Sequence, residues 1–335
     1  MKLLRILATS LIVILLTGCQ YHFLDLSAQL KQIPVHFPRN EYFLEPAWLS
    51  DKTIAFVETT TPNIFTNRTN TPQLGFYDVN AQIWTGLQAS SDPNCRSLNF
   101  IYLQRLPNKQ LGFLETCSTY AGGVSHTVQE IDTTTGKLQP LIERESIANP
   151  GKFTFSPDMS EAVQESTVGP GLSNQIYYVK NNSWIQTVPN FTRAMLPTWS
   201  PTDREIAFWG TENYPGGDPN NFQSFSQIQG LALYPWDLFL ATPEGTNQKI
   251  LISSVNDPYL IKWSPSGNKI GFAGAFEGVE GVWLVNPSTS TITRIWPTRS
   301  DFDWSPDGRK MVILDQTEDQ SGNIVSQEIN IVDLK

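Results

Sequence analysis

The stretch 302–315, with the sequence FDWSPDGRKMVILD, decides the fold. An aromatic residue closes one strand, Pro306 sets φ for the first position of a tight turn, and Gly308 supplies a positive φ at its end. The apolar run Met311-Val312-Ile313 then begins a second strand. A single segment of this kind predicts only a β-hairpin, so the fold depends on whether the pattern recurs.

The pattern recurs in five more segments. Three keep an aromatic residue followed by Ser-Pro, one keeps the aromatic residue and the strand, and one keeps the turn and the strand. The segments are 46–58, 104–115, 153–166, 197–210 and 261–274. The anchor positions of the six segments are Trp48, Arg105, Phe155, Trp199, Trp263 and Trp304, with successive spacings of 57, 50, 44, 64 and 41 residues. These periods are typical of propeller blades with insertions of variable length.

A second hairpin with alternating apolar and polar residues follows five of the six segments. These hairpins lie at 74–87, 127–142, 175–188, 236–252 and 282–296, whereas the sixth unit contributes only 328–334. The stretch 30–37 is apolar enough to add the missing strand, with Pro34 on the solvent side of an edge. The sequence therefore predicts an all-β, six-bladed β-propeller with four-stranded blades, its ring closed by an N-terminal strand.

This arrangement resembles the TolB-type propeller, whose repeat reads WSPDG followed by an apolar strand. Residues 304–308 match that repeat fully, and 199–201 and 263–265 match it in part. The resemblance covers roughly residues 45–335 and implies a six-bladed propeller. TolB itself has a separate N-terminal α/β domain and is soluble, whereas here about 25 residues separate Cys19 from the first blade. A role beside the Tol–Pal system therefore does not carry over.

The first residues have the features of an export signal. Lys2 and Arg5 precede a mostly apolar stretch, 6–16, that is shorter than the roughly 20 residues of a spanning helix. It ends in Leu-Thr-Gly-Cys at 16–19, which resembles the lipobox of bacterial lipoproteins and implies lipidation of Cys19. An uncleaved anchor helix or an ordinary secretory signal is the alternative.

The predicted organisation is a lipoprotein signal peptide over 1–18, a lipidated linker over 19–27 and the propeller over 28–335. We expect a monomer in the bacterial cell envelope, anchored in a membrane, facing the periplasm or the outer membrane. Cys95 and Cys117 would then be the remaining thiols in an oxidising compartment. Both lie next to connections that the predicted topology places on one face, which favours a disulfide over two separate buried thiols.

The composition limits the possible functions. The formal net charge of −9 argues against nucleic-acid binding, which needs a basic surface. Only three histidines are present, and nucleophile-elbow, zincin, P-loop and dinucleotide-binding motifs are missing from the sequence. Asp301/Asp303 and Glu318/Asp319 could supply oxygen ligands for Ca²⁺ but are more typical of solvated turns. We therefore expect no catalytic residues, no metal and no cofactor.

Long connections are predicted to gather on one face of the propeller, where binding usually occurs. The longest, 211–235, carries Tyr214, Phe222, Phe225 and Tyr234 among Gly, Pro, Asn and Ser. The leading interpretation is a non-catalytic scaffold that binds envelope proteins through this long-loop face. A module that binds a glycan or small ligand, and a propeller-type hydrolase acting at the central channel, are the alternatives. A loop that only caps the channel would also explain the composition.

Overall fold

The computed structural model describes residues 23–30, 32–35, 42–59, 73–88, 95–120, 123–142, 150–168, 173–181, 183–191, 193–211, 235–319 and 323–334. These residues form β-strands joined by turns, and they contain no helix long and apolar enough to cross a membrane. The first twelve strands are β1 (Leu24–Asp25), β2 (Gln32–Val35), β3 (Tyr42–Trp48), β4 (Thr53–Thr59), β5 (Gln73–Asp78), β6 (Ile83–Gln88), β7 (Cys95–Arg105), β8 (Leu111–Thr119), β9 (Val124–Ile131), β10 (Leu138–Ile142), β11 (Pro150–Phe155) and β12 (Glu161–Val168). The second twelve are β13 (Ser173–Lys180), β14 (Ser183–Gln186), β15 (Arg193–Trp199), β16 (Ile206–Thr211), β17 (Trp236–Ala241), β18 (Lys249–Trp263), β19 (Ile270–Phe276), β20 (Val279–Val285), β21 (Ile292–Trp296), β22 (Asp301–Trp304), β23 (Lys310–Glu318) and β24 (Ile324–Asp333).

The strands form an all-β, propeller-like arrangement of mostly antiparallel sheets. Four separate sheets have four strands each: β3–β6, β7–β10, β11–β14, and β22–β24 with β2. A fifth sheet has eight strands, β15–β21 with β1 on its edge. Hydrogen bonding thus gives four discrete blades and one double-sized sheet, where the sequence predicts six separate blades.

The double-sized sheet arises because β18 is one 15-residue strand. Its first half pairs with β17, from Lys249 to Val255, and its second half pairs with β19, from Val255 to Trp263. The register shifts between Asn256 and Leu260, where the strand changes partners. The sequence predicts two separate strands here, at the end of 236–252 and the start of 261–274, but the structure has one continuous strand.

The N-terminal residues pair with two different sheets. β2 lies antiparallel to β24, with Val35 opposite Ile329, and Pro34 is exposed at this edge. β1 lies parallel to β21, and the Phe23 ring packs edge-on against Trp283 at 4.8 Å. The sequence predicts a linker over 19–27, and within it an apolar contact and strand pairing place residues 23–25 on the sheet.

The core consists of apolar clusters between consecutive sheets. One cluster joins Phe100 and Phe113 of the second sheet to Ala55 and Phe76 of the first. Another joins Trp48 and Phe56 of the first sheet to strands β23 and β24. The first and last sheets of the chain therefore pack against each other as consecutive sheets do.

The turns that follow the aromatic anchors have the predicted geometry. Gly267 and Gly308 have φ of 71° and 68°, and their N–H groups donate to Ser264 O and Ser305 O at 2.9 and 2.8 Å. A residue with a β-carbon is disfavoured at this φ, so glycine suits the turn. These turns set where each inner strand ends, and with it the position of the anchor side chain.

Candidate functional site

A cavity of about 580 Å³ lies among the inner strands β3, β7, β11, β15, β18 and β22. All six anchor positions predicted from the sequence line it: Trp48, Arg105, Phe155, Trp199, Trp263 and Trp304. The cavity is also lined by prolines of the turns that follow the anchors, so it extends to the end of the channel at which these short turns lie. These prolines are Pro107, Pro157, Pro201, Pro265 and Pro306. Its volume is within the range of ligand pockets.

Two further layers of side chains follow from the same repeat. The residues three positions before the anchors line the deep part of the cavity: Glu45, Tyr102, Lys152, Leu196, Leu260 and Asp301. The residues one position before the anchors form the next layer, of which Gln104, Thr154, Thr198, Lys262 and Asp303 line the cavity. Alternate residues of a strand point to one face, which places both layers on the channel side.

The deep layer depends on irregular backbone. Glu45, Tyr102 and Leu196 have φ of 50°, 59° and 54°, in the left-handed region that residues with a β-carbon seldom adopt. Each lies at a shift in register between an inner strand and its neighbour. Such β-bulges turn a side chain away from the regular alternation, and they are frequent next to functional sites.

Side chains of the channel bind the backbone of the next blade. Asp303 Oδ2 accepts the N–H of Trp48 at 2.7 Å, and Thr154 Oγ1 accepts the N–H of Trp199 at 3.1 Å. Gln104 donates from Nε2 to Phe153 O at 2.9 Å. These bonds occur one position before the anchors, so this layer connects neighbouring sheets around the channel.

Two tryptophan anchors donate hydrogen bonds to the preceding blade, opposite in direction to the bonds just described. Trp263 donates its indole N–H to Thr198 O at 3.1 Å, and Trp304 donates to Lys262 O at 3.3 Å. Lys262 Nζ lies 3.1 Å from Asp303 Oδ1 and also donates to Pro46 O at 3.4 Å. The aromatic wedges are therefore hydrogen-bonded as well as packed.

Charged groups lie at the deep end of the cavity. Burial raises the pKa of Glu45 to about 7, although Oε2 accepts the N–H of Leu103 at 2.8 Å. Burial likewise lowers the pKa of Lys152 to about 7, and its Nζ donates to Ile261 O at 2.7 Å. Desolvation disfavours the charged form of each group, so both titrate near neutral pH.

The other acidic groups at this depth are also bonded. Asp301 accepts the hydroxyl of Tyr259, and burial raises the pKa of its carboxyl. Glu165 Oε2 accepts the N–H of Leu196 at 2.9 Å, and burial raises the pKa of this carboxyl too. These carboxyl groups therefore help to hold the inner strands and their neighbours in place.

The structure places the remaining predicted residues as follows. Cys95 and Cys117 form a disulfide with their Cα atoms 5.4 Å apart. The bridge joins the paired strands β7 and β8, next to Leu98, whereas the sequence places Cys95 in the connection before β7 and Cys117 just past the end of β8. Cys19 and the loop aromatics Tyr214, Phe222, Phe225 and Tyr234 lie outside the described residues.

Sequence reasoning missed the charged deep layer. The position three before each anchor has no residue type common to all six segments, so no motif reveals it. The residues there are Glu, Tyr, Lys, Leu, Leu and Asp. Aligning the six segments on their anchors and applying strand alternation would have found it. Within the described ranges, no group of three or more His, Cys, Asp or Glu side chains could hold a metal ion.

The comparisons with known proteins concern the fold. No protein-family model matches the sequence, and no curated protein does. Among solved structures, TolB from Acinetobacter baumannii is similar at 14% identity and a TM-score of 0.55, over 84% of this chain and 63% of that chain. The chain thus spans less than two thirds of that TolB.

Oligogalacturonate lyases are similar to a comparable degree. One in complex with manganese has 11% identity and a TM-score of 0.52, over 91% of this chain and 98% of that chain. The lyase from Vibrio parahaemolyticus has 11% identity and a TM-score of 0.52, over 93% and 96%. At these identities the likeness concerns the propeller-like fold, which non-enzymes and enzymes share.

Proposed function

We propose that this protein is a non-catalytic interaction protein that receives a segment of a partner protein in the channel cavity. The observation that carries the proposal is the state of the polar groups in the cavity. Glu45, Asp301 and Asp303 accept hydrogen bonds from neighbouring strands or side chains, and Lys152 donates to a backbone carbonyl. Groups engaged in this way stabilise the wall of the cavity, which supports a binding role for it.

The same proposal includes the architecture. The continuous strand β18 serves two consecutive blades, so the eight-stranded sheet counts as two, and the molecule has six blades around the cavity. The six anchors lining one cavity support this count. The pairing of β2 with β24 supports closure of the ring by the N-terminal stretch.

We further propose that the protein acts in the bacterial cell envelope, held by lipid on Cys19. Phe23 packs on Trp283, and Asp25 pairs with Arg294 at 3.0 Å, so the chain is attached to the propeller from residue 23 onward. A four-residue tether spans at most about 14 Å. The tether would keep the outer edge of β21 close to the membrane, and the partner would be an envelope protein. Tyr214, Phe222, Phe225 and Tyr234 remain candidates for contacts on the long-loop face.

A hydrolase is the second candidate, because the cavity brings carboxyl groups together. Glu45 and Asp301 both line the deep end, and the pKa of the Glu45 carboxyl is raised, as general acids require. Against this, Glu45 already accepts a backbone N–H and Asp301 a tyrosine hydroxyl. A channel hydrolase would lose its activity in Glu45→Gln, whereas the binding function would persist in that variant.

Photo-crosslinking in the native, lipidated protein tests the proposed function. A photoreactive amino acid replaces Pro157, an exposed residue of the cavity lining, and in a second variant it replaces Ile185, which is exposed on the outer strand β14. We expect one discrete protein adduct from position 157 and none from position 185. Equal adducts from both positions, or none from 157, would contradict binding at the cavity.

A further inference from the structure

We infer that Arg105 is a recognition residue that binds a carboxylate of the partner segment, which gives the cavity a preference for acidic peptides. The inference rests on the proposed function and names the chemistry of its ligand. Arg105 occupies the anchor position of β7, where four of the other five inner strands carry tryptophan. It is half-buried and lines the cavity.

The hydrogen bonding of the cavity cations singles out Arg105. Lys262 pairs with Asp303, and Lys152 donates to Ile261 O. Arg105 Nε is buried without a hydrogen-bond partner, and its side chain makes no ion pair within the part of the chain that the structure describes. A buried guanidinium N–H without an acceptor is costly, and a carboxylate that binds Nε and a terminal nitrogen together would satisfy it.

The other unsatisfied groups of the lining point to the same ligand chemistry. Among the described lining residues, the buried side-chain polar atoms without a partner are Arg105 Nε, Trp48 Nε1 and Trp199 Nε1. All three are donors, and all three belong to the anchor layer. The anchor layer therefore leaves donors and not acceptors unsatisfied, and of the three side chains only half-buried Arg105 is open enough to meet an acceptor such as a carboxylate.

A peptide fits the cavity better than an acidic sugar does. Sugar recognition uses flat aromatic faces, but Trp48, Trp199, Trp263 and Trp304 are 2–9% exposed and wedged between sheets. The accessible rim consists instead of turn prolines, of which Pro107 and Pro157 are exposed. Exposed prolines beside the Arg105 guanidinium suit an extended peptide segment that carries an acidic side chain or a C-terminal carboxylate.

Peptide selection on the purified lipidated protein in detergent tests the inference. A random decapeptide library is selected on the wild-type chain, and the enriched peptides are measured against Arg105→Gln, Arg105→Lys and Lys109→Gln. Lys109 is the matched control because it is exposed on the adjoining turn but does not line the cavity. We expect a carboxylate in every enriched peptide, at least a tenfold loss of affinity in Arg105→Gln, a smaller loss in Arg105→Lys, and less than a threefold change in Lys109→Gln.

A double-mutant cycle completes the design. Replacing the peptide carboxylate by its amide should cost the same factor on the wild-type protein and nothing further on Arg105→Gln. Equal affinity of the acidic and amide peptides would overturn the role of Arg105. If the adduct at position 157 is still formed and excess peptide suppresses it, the proposed function survives that result.

Two other outcomes also decide the question. A library that yields no peptide able to suppress the position-157 adduct overturns the peptide-binding inference. Oligogalacturonate serves as the acidic-sugar probe. If it binds in an Arg105-dependent manner while peptides do not, the carboxylate belongs to a glycan, and the peptide assignment is wrong. Thermal unfolding of Arg105→Gln within a few degrees of wild type verifies that the variant is folded.

Discussion

The inner strands β7 and β18 occupy equivalent places around the cavity, yet they are held in different ways. β18 ends at Trp263, which is buried between sheets and donates its indole N–H to Thr198 O. β7 ends at Arg105, which lacks both the wedge and a hydrogen-bond partner at Nε. At its other end, β7 begins at Cys95, which is covalently bonded to Cys117 of β8.

The difference indicates which parts of the repeat are structural. Where tryptophan is present, packing between sheets holds the inner strand, and at Trp263 and Trp304 an indole hydrogen bond to the neighbouring inner strand is added. In the second sheet a disulfide ties β7 to its neighbour β8 at the opposite end of the strand, and the anchor position, which carries no wedge, is available for another use. The following substitutions measure the two kinds of attachment against each other.

The largest expected effect comes from removing the wedge. Trp263→Ala leaves a cavity between two sheets and removes the indole bond to Thr198 O, and should reduce the free energy of unfolding by about 3–5 kcal/mol. Arg105→Ala, at the equivalent position, should change it by less than about 1 kcal/mol, because no described bond is lost. Urea unfolding of both variants provides the comparison, and similar losses would show that Arg105 is also a structural wedge.

The disulfide should have the next largest effect. Cys95→Ala with Cys117→Ala opens a covalent link between residues 22 apart in sequence, and should cost about 3 kcal/mol in the chain-entropy model. Reducing agent should lower the melting temperature of the wild-type protein and leave the double variant unchanged. Two alkylatable thiols in the non-reduced wild-type protein, measured by mass spectrometry, would contradict the bridge.

The contact between the first and second sheets has a pH-dependent component. Glu45 accepts the N–H of Leu103 in β7, and burial raises the pKa of its carboxyl from 4.5 to about 7. Below pH 4.5 the carboxyl is protonated in both states. Between pH 4.5 and 7 only the unfolded chain releases the proton, so this group lowers stability progressively as pH rises.

Glu45→Gln should remove this penalty while keeping an acceptor for Leu103. We expect its free energy of unfolding, relative to wild type, to increase by about 2 kcal/mol between pH 5 and pH 8. Glu280→Gln removes an exposed carboxyl on β20 and is the matched control. Chemical unfolding at several pH values measures the difference, and parallel profiles for Glu45→Gln and wild type would refute the assignment.

These comparisons also show how far the sequence could predict the molecule. The recurrence of an aromatic residue, a turn and an apolar strand identified every inner strand, and all six anchors line one cavity. The continuity of β18 could not be predicted from the sequence. A strand that pairs with one neighbour along its first half and another along its second half has no characteristic residue pattern. The bulges at Glu45, Tyr102 and Leu196 could not be predicted either, because three different residue types adopt the same left-handed backbone conformation and so give no sequence signal.

The smallest effect compares two glycines at one position of the repeat. Gly112 in β8 and Gly271 in β19 both stand between an apolar residue and phenylalanine. A β-carbon on Gly271 would lie 2.8 Å from the buried ring of Phe302 in the next sheet, whereas one on Gly112 would lie 2.7 Å from the Leu106 side chain of its own sheet. Both side chains are buried, but Leu106 can change rotamer within its own sheet, whereas the Phe302 ring between two sheets can shift only by displacing its neighbours.

Alanine at either position also raises the free energy of unfolding by about 0.4–1 kcal/mol, because it restricts the conformations of the unfolded chain. Gly271→Ala should therefore destabilise by about 1–2 kcal/mol net, and Gly112→Ala by less than about 1 kcal/mol. Urea unfolding measures both. A larger loss for Gly112→Ala would mean that the second sheet is packed as rigidly as the double-sized sheet, and that its disulfide adds to a tight interface and does not replace a missing wedge.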